Sequence, residues 1–121
     1  MPALELKTNV ALTDPKAFIL EFHLFGAKVL NKPPSAMSLS YTYNENLTFN
    51  GTFDPAFLLT ITSLDNLSPE SNEKYSKALF DFFEEKLGVP NDRGYITFFD
   101  PKRENMGFKS THCGVLLPKA K

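Results

Sequence analysis

The stretch FLLTITSLDNLSPESNEKYSKALFDFFEEKLGVPNDRGYITFF, residues 57–99, decides the fold, because it contains two strand patterns with a helix pattern between them. Residues 57–64 are apolar and rich in β-branched side chains, and residues 95–99 have a similar composition, so both predict strands. Between them, Ser68 followed by a proline is typical of a helix start, and Gly88 is typical of a helix end. The predicted order is therefore strand, helix, strand.

The helix in this stretch has one apolar face and one charged face. The buried stripe is predicted to consist of Tyr75, Ala78, Leu79, Phe82 and Leu87. On the opposite face, Glu73 and Lys77 have the spacing of an i,i+4 ion pair. The pattern predicts a helix that packs one side against a sheet.

The N-terminal half of the chain has the same order of elements. In MPALELKTNV, residues 1–10, apolar and charged residues alternate at positions 4–7, which predicts a strand. A helix follows, with Thr13 or Asp14 as its N-cap and a proline at its first position. Its apolar residues recur at helical spacing, at Phe18, Phe22, Phe25 and Val29. In SLSYTY, residues 38–43, strict alternation predicts a half-buried strand.

Two strand–helix–strand units of similar length predict the fold class. Each unit needs a crossover between parallel strands, so we expect an α+β fold in which two βαβ units form a four-stranded sheet with both helices on one face. The second face then has no helix to cover it. Leu58 and Leu64 are predicted to lie on that face, which favours self-association. The tail after residue 100 has short apolar pieces that cannot fold alone and are predicted to add strands to the sheet edge of a neighbouring subunit.

Composition narrows the function classes. The length of 121 residues predicts a single domain over 1–121. A net charge of −1 gives no indication of a basic surface that would bind nucleic acid or an anionic membrane. No apolar run approaches the roughly 18 residues of a membrane span, and the N-terminus has no signal pattern, so we expect a cytoplasmic protein. One cysteine, Cys113, excludes an intrachain disulfide, and two histidines give no metal-ligand spacing. No cofactor is expected.

Pro2 heads the first predicted strand and has two interpretations. Proline is tolerated at the first position of a strand, so Pro2 can simply begin it. Methionine before a small residue or proline is commonly removed, however, and loss of Met1 would make Pro2 a free secondary amine at the N-terminus. Strand propensity alone leaves both interpretations open.

Six motifs in order resemble the macrophage migration inhibitory factor and D-dopachrome tautomerase family, within the tautomerase superfamily. They are MPALELKTNV, NKPPSAM, LTFNGTFDPA, YSKAL, DRGYITFFD and NMGF, and they run from Pro2 to about Thr111. Each motif alone is weak, but six in the right order and spacing are specific. Residues 112–121 form a C-terminal extension with no counterpart in this resemblance.

The resemblance implies a homotrimer in which three four-stranded sheets surround a central channel, with one site at each subunit interface. It also implies that Met1 is removed and that Pro2 is the catalytic base of a keto–enol tautomerase for phenylpyruvate-like or dopachrome-like substrates. A free α-amino group has a pKa of about 8. Burial beside another cation disfavours the charged amine, which brings its pKa towards the neutral range where a base is most useful.

The other site residues are implied by the same resemblance. Lys32, in NKPP, matches the family's motif lysine, which can hold a substrate carboxylate and lower the pKa of the amine. Its alternative is a solvated lysine after a helix end. Tyr95 matches an interface tyrosine that reaches the neighbouring subunit's pocket, with Thr97 on the same strand face. Its alternative is an ordinary sheet aromatic.

The remaining matches concern the shape of the pocket. Leu64 falls where the family has an aliphatic residue beside the site, and Met106 and Phe108 match the pocket mouth. Ala36 stands in place of an aromatic, Thr97 of an asparagine and Phe108 of a tryptophan.

SLDNL stands where SIG and a small residue are usual, and the carboxylate of Asp65 near the amine would favour its protonated form. The family's CxxC stretch is also missing. These departures favour a second function class, a cytokine-like or host-interaction trimer with a protein receptor and little or no catalysis. Secretion by a non-classical route goes with that alternative.

Overall fold

The structure is a computed structural model that describes residues 2–117. Its main elements are strand β1 (Ala3–Thr8), helix α1 (Pro15–Leu30), strands β2 (Ser38–Tyr43) and β3 (Phe57–Thr62), helix α2 (Pro69–Leu87) and strand β4 (Gly94–Phe99). A smaller C-terminal part consists of β5 (Gly107–Phe108), β6 (Thr111–His112) and the short helix α3 (Cys113–Leu116). Within residues 2–117, no helix is long and apolar enough to cross a membrane.

The strands form one four-stranded sheet in the order β2-β1-β3-β4. β1 runs parallel to β2 and β3 runs parallel to β4, whereas the two central strands are antiparallel. The sheet therefore consists of two parallel pairs joined back to back, and each pair is bridged by one helix. The predicted α+β fold with two βαβ units is confirmed.

The helix ends follow from local chemistry. The Asp14 side chain accepts a hydrogen bond from the backbone N–H three residues on (3.1 Å), so Asp14 rather than Thr13 caps α1. Ser68 caps α2 with the same geometry (3.1 Å). Both helices end in a left-handed residue, Asn31 (φ 54°) and Gly88 (φ 68°), as C-caps commonly require.

An aromatic core lies between the helices and the sheet. Phe83 is fully buried although the predicted stripe omitted it, and its ring centroid lies 5.2 Å from that of Phe22 in α1 and 4.6 Å from that of Phe57 in β3. Phe25 stacks on Phe82 at 4.5 Å. Rings from α1, α2 and β3 thus meet at one point and join the two units into a single core.

On the solvent-exposed face of α2, Lys77 forms an ion pair with a different residue from the one predicted. Lys77 Nζ lies 2.9 Å from Asp81 Oδ2, so the lysine pairs with the carboxylate four residues on rather than with Glu73. The hydrogen bond to Asp81 raises the pKa of Lys77.

The uncovered face of the sheet is more polar than predicted. Its strands present mostly charged and hydroxyl side chains, at Glu5, Lys7, Ser38, Ser40, Thr42, Thr60, Thr62 and Thr97. Exposed apolar side chains on this face lie on the β3–β4 side of the sheet, at Leu58 in β3 and at Tyr95 and Phe99 in β4. Leu64, which was predicted for this face, is instead buried beyond the end of β3.

The C-terminal segment folds on itself. β5 and β6 form an antiparallel hairpin, and the N–H of Cys113 donates to the carbonyl of Met106 (2.8 Å). Cys113 is fully buried. Residues 103–117 thus form local structure within their own chain, whereas the predicted addition of strands to a neighbouring subunit stays a prediction. Residues 118–121 of the predicted extension lie outside the described residues.

Candidate active site

A cavity of about 460 Å³ opens where β1 and β2 begin. Three chain segments line it, and the lining residues are Pro2, Ala3, Ser35, Ala36, Met37, Ser38, Met106, Gly107 and Phe108. Most of these side chains are apolar. Each segment forms one wall, so residues far apart in sequence line the same cavity.

Pro2 is buried at the wall of this cavity. Its carbonyl accepts a hydrogen bond from the N–H of Ser38 (3.0 Å), which anchors the backbone of Pro2 at the start of the β1–β2 pairing. A group in such surroundings is poorly solvated, and poor solvation disfavours a charge. Met1, whose removal the sequence predicts, lies outside the described residues.

The second wall is the turn after α1. Residues 34–36 form one turn of 3₁₀ helix, and the Nε2–H of His23 donates to the carbonyl of Pro34 (2.8 Å). This contact ties the turn to the preceding helix. Sequence reasoning missed the role of His23, because nothing in the helical period marks a side chain that reaches a turn 11 residues away.

Lys32 lies directly before this turn. It follows the left-handed Asn31, its N–H donates to the carbonyl of Ala27 (2.9 Å), and the residue is half-buried. The side chain is not among the groups that line the cavity. The structure thus places Lys32 beside the cavity rather than in its wall.

Met106 and Phe108, which the resemblance assigns to the mouth of a pocket, lie in the third wall of this cavity. Met106 is held there by the hydrogen bond from Cys113, and Phe108 is exposed at the opening. Leu64 is fully buried and does not line the cavity.

Tyr95 and Thr97 are remote from Pro2 within one chain. Tyr95 pairs with Leu58, and Leu58 pairs with Lys7, which is five residues along β1 from Pro2. Strand rise and strand spacing together separate the Cα atoms of Tyr95 and Pro2 by roughly 20 Å. The Tyr95 side chain is 65% exposed on the uncovered face. A single subunit therefore does not bring the predicted site residues together.

Asp65, the predicted source of an unfavourable charge, has a cationic partner. Its Oδ2 lies 2.7 Å from Nε of Arg103, and its backbone N–H donates to Asp100 Oδ2 (3.0 Å). Arg103 precedes Met106 by three residues, so the ion pair joins the turn after β3 to the segment that lines the cavity. Because the guanidinium offsets the carboxylate, the effect of Asp65 on a nearby amine is smaller than an unpaired charge would give.

Asp65 also has a left-handed backbone, with φ of 66°. We expect Asp65→Gly to change the free energy of unfolding by less than about 1 kcal/mol, because glycine relieves backbone strain while a half-exposed ion pair is lost. Asp65→Ala loses the same ion pair but keeps a Cβ in the left-handed region, so we expect it to be less stable than Asp65→Gly by about 1–2 kcal/mol. Urea unfolding at one fixed protein concentration measures both. Equal stability of the two variants would contradict the assigned backbone strain.

The mixed sheet of two βαβ units, with a proline-lined cavity at the head of β1, is typical of the tautomerase superfamily. The family model "Macrophage migration inhibitory factor (MIF)" matches residues 1–114. This chain belongs to the macrophage migration inhibitory factor family, and the resemblance drawn from the six motifs is confirmed. The protein is accordingly of the tautomerase or cytokine type. The family match extends three residues into the predicted C-terminal extension.

Individual relatives agree with this assignment. The macrophage migration inhibitory factor homolog of Trichinella spiralis is 32% identical over 112 residues, which is 92% of this chain and 98% of that protein. The solved structure of the Trichinella spiralis protein matches with a TM-score of 0.84 and 31% identity over 91% of this chain and 98% of that one. The structure of macrophage migration inhibitory factor from Oncomelania hupensis matches with a TM-score of 0.88 and 26% identity, over 97% of this chain and 85% of that one.

Proposed function

We propose that this protein is a keto–enol tautomerase of phenylpyruvate-like or dopachrome-like substrates, with Pro2 as its base. The observation that carries the proposal is the burial of Pro2 in the wall of an apolar cavity of about 460 Å³. Small-molecule sites typically have volumes of about 300–1,000 Å³ and mostly apolar linings. An aromatic keto acid has the size and character that such a cavity accepts.

The proposed base requires the loss of Met1. With Met1 attached, the nitrogen of Pro2 is a tertiary amide and has no basicity. After cleavage it is a secondary amine on a rigid ring, and apolar surroundings lower the pKa of an α-amino group from its ordinary value of about 8. In this mechanism the amine takes a proton from the carbon beside the keto group, solvent water gives a proton to the keto oxygen to complete the enol, and the protonated amine returns its proton to solvent. A base that titrates near neutral pH suits this transfer.

We also propose that the site is completed in a homotrimer. By strand geometry, Tyr95 lies roughly 20 Å and Thr97 roughly 14 Å from Pro2 in their own chain. The apolar side chains of β4 lie at a sheet edge, where a second subunit can cover them. A neighbouring subunit's Tyr95 at each cavity accounts for both features. Thr97, on the same strand face, then faces that cavity as well.

The proposal is tested on the wild-type protein. We expect phenylpyruvate tautomerisation, an intact mass without Met1, and sedimentation as a trimer at micromolar concentration. A stable monomer of 13.6 kDa that retains full activity would contradict the completion of the site by a neighbour. An active enzyme that retains Met1 would remove Pro2 from the mechanism.

Lys32 is proposed to bind the carboxylate of the substrate. We expect Lys32→Ala to raise KM for phenylpyruvate by about ten- to a hundredfold with a smaller change in kcat, because a charged hydrogen bond to the substrate is lost. Lys28→Ala is the matched control, since Lys28 is an exposed lysine in the last turn of α1. If both variants shift KM equally, general surface charge rather than a carboxylate contact explains the effect.

A second candidate function is a cytokine-like or host-interaction trimer with little catalysis and a protein receptor. Ala36 and Phe108 favour it, because they lie at the wall and mouth of the cavity where the resemblance leads one to expect an aromatic and a tryptophan. A trimer that processes neither phenylpyruvate nor a dopachrome ester would establish this candidate over the enzyme. The enzyme is proposed to act in the cytoplasm, whereas the cytokine-like function is proposed to require secretion by a non-classical route.

A further inference from the structure

The connection between β2 and β3 carries a hairpin with a defined tip. The N–H and carbonyl of Phe49 exchange hydrogen bonds with those of Thr52 (3.1 Å each). Asn50 and Gly51 between them both have positive φ, 53° and 70°. Asn-Gly is the preferred sequence for a two-residue turn of this type. The Asn-Gly turn therefore fixes the backbone position from which the side chain of Phe49 projects.

Two side chains from outside the connection hold it in place. Asn9 Nδ2 donates to the carbonyls of residues 47, 53 and 54 at 2.9–3.1 Å, and its Oδ1 accepts from the N–H of residue 56 (2.9 Å). Arg93, immediately before β4, donates to the carbonyls of Pro55 and Asp54 (2.9 Å each). With both anchors, this long connection has a fixed position against the sheet.

The connection places Phe49 between Arg93 and Tyr95. The guanidinium carbon of Arg93 lies 5.6 Å from the centroid of the Phe49 ring, within cation–π distance. The centroid of Tyr95 lies 5.2 Å from that of Phe49, with an interplanar angle of 40°. Among the residues that the structure describes, Phe49 is the only aromatic ring in contact with Tyr95.

We propose that Phe49, held by Arg93, is a positioning residue that orients the ring of Tyr95. The proposal rests on the proposed function, in which Tyr95 reaches the cavity of a neighbouring subunit. An exposed tyrosine samples three χ1 wells, and an aromatic contact restricts that choice. Aromatic pairs of this geometry correspond to about a two- to tenfold preference. An oriented ring binds an aromatic substrate without first losing that freedom.

The test is a double-mutant cycle on phenylpyruvate tautomerisation. We expect Phe49→Leu to raise KM by about two- to tenfold and to change kcat by less than about twofold, because leucine keeps an apolar contact but not the ring. In a Tyr95→Ala background, Phe49→Leu is expected to have no further effect. Phe53→Leu is the matched control, because Phe53 lies in the same connection with a side chain that is 63% exposed.

Two outcomes would overturn the proposal. One is an equal rise of KM for Phe49→Leu with and without Tyr95, since Phe49 would then act independently of the tyrosine. The other comes from NMR of tyrosine-ring-labelled protein, which needs no activity. The Tyr95 ring signals are expected to shift in Phe49→Leu and to stay in place in Phe53→Leu, and unchanged signals in both variants refute the contact. An inactive wild type would refute the proposed function alone, and the NMR result would still decide whether Phe49 orients Tyr95.

Discussion

Pro2→Gly is expected to lower kcat/KM for phenylpyruvate tautomerisation by about 10²–10⁴-fold, the usual contribution of a general base. Glycine still permits removal of Met1 and keeps the carbonyl that accepts from Ser38. It replaces a rigid secondary amine by a flexible primary one. We therefore expect the variant to lose catalytic rate and to keep its fold. Steady-state kinetics measure the effect, and sedimentation and intact mass confirm an unchanged assembly and processed N-terminus.

Pro69→Gly is the matched control for this variant. Pro69 occupies the first position of α2, away from the cavity, and undergoes the same chemical change. We expect it to lower stability slightly, since proline favours a helix start, and to keep activity within about twofold of wild type. A Pro2→Gly enzyme that retains activity within threefold of wild type would exclude the proline amine as the base.

Phe83→Ala is expected to lower the free energy of unfolding by about 3–5 kcal/mol, the range for truncating a fully buried phenylalanine. Its ring contacts Phe22 of α1 and Phe57 of β3, so truncation opens a cavity where both βαβ units meet. Urea unfolding at a fixed protein concentration measures the loss, because the stability of an oligomer depends on concentration.

Phe53→Ala serves as the control for Phe83→Ala, because its ring is already largely in water. We expect a change of less than about 0.5 kcal/mol there. A cost below 1 kcal/mol for Phe83→Ala would mean that the ring is not part of a close-packed core.

The sequence predicts the main elements because their determinants are local. The alternation around Leu4 and Leu6, the caps at Asp14 and Ser68, and the glycine at the end of α2 each act within one turn or strand. Parallel pairing within each unit then follows from chain connectivity, because a strand–helix–strand connection permits little else.

Other features could not be predicted because they depend on distant partners. Lys77 has an acidic residue four positions away on both sides, so spacing cannot choose Asp81 over Glu73. The pairing of Asp65 with Arg103 joins residues 38 positions apart. No periodicity encodes such a contact. Of the proposed site, sequence patterns mark Pro2 as unusual, but its position beside Met106 and Phe108 depends on how the C-terminal hairpin folds over the sheet.

The back-to-back arrangement of the two parallel pairs gives the subunit an approximate internal twofold axis, which runs through the sheet between β1 and β3. The second unit even begins with its own proline, Pro55, shortly before β3. The nitrogen of Pro55 belongs to an uninterrupted chain and stays an amide, whereas the nitrogen of Pro2 becomes an amine once Met1 is cleaved. Under the proposed mechanism, a nearly symmetric scaffold thus gives one reactive centre per subunit, and a proteolytic step on the new chain decides which half becomes reactive.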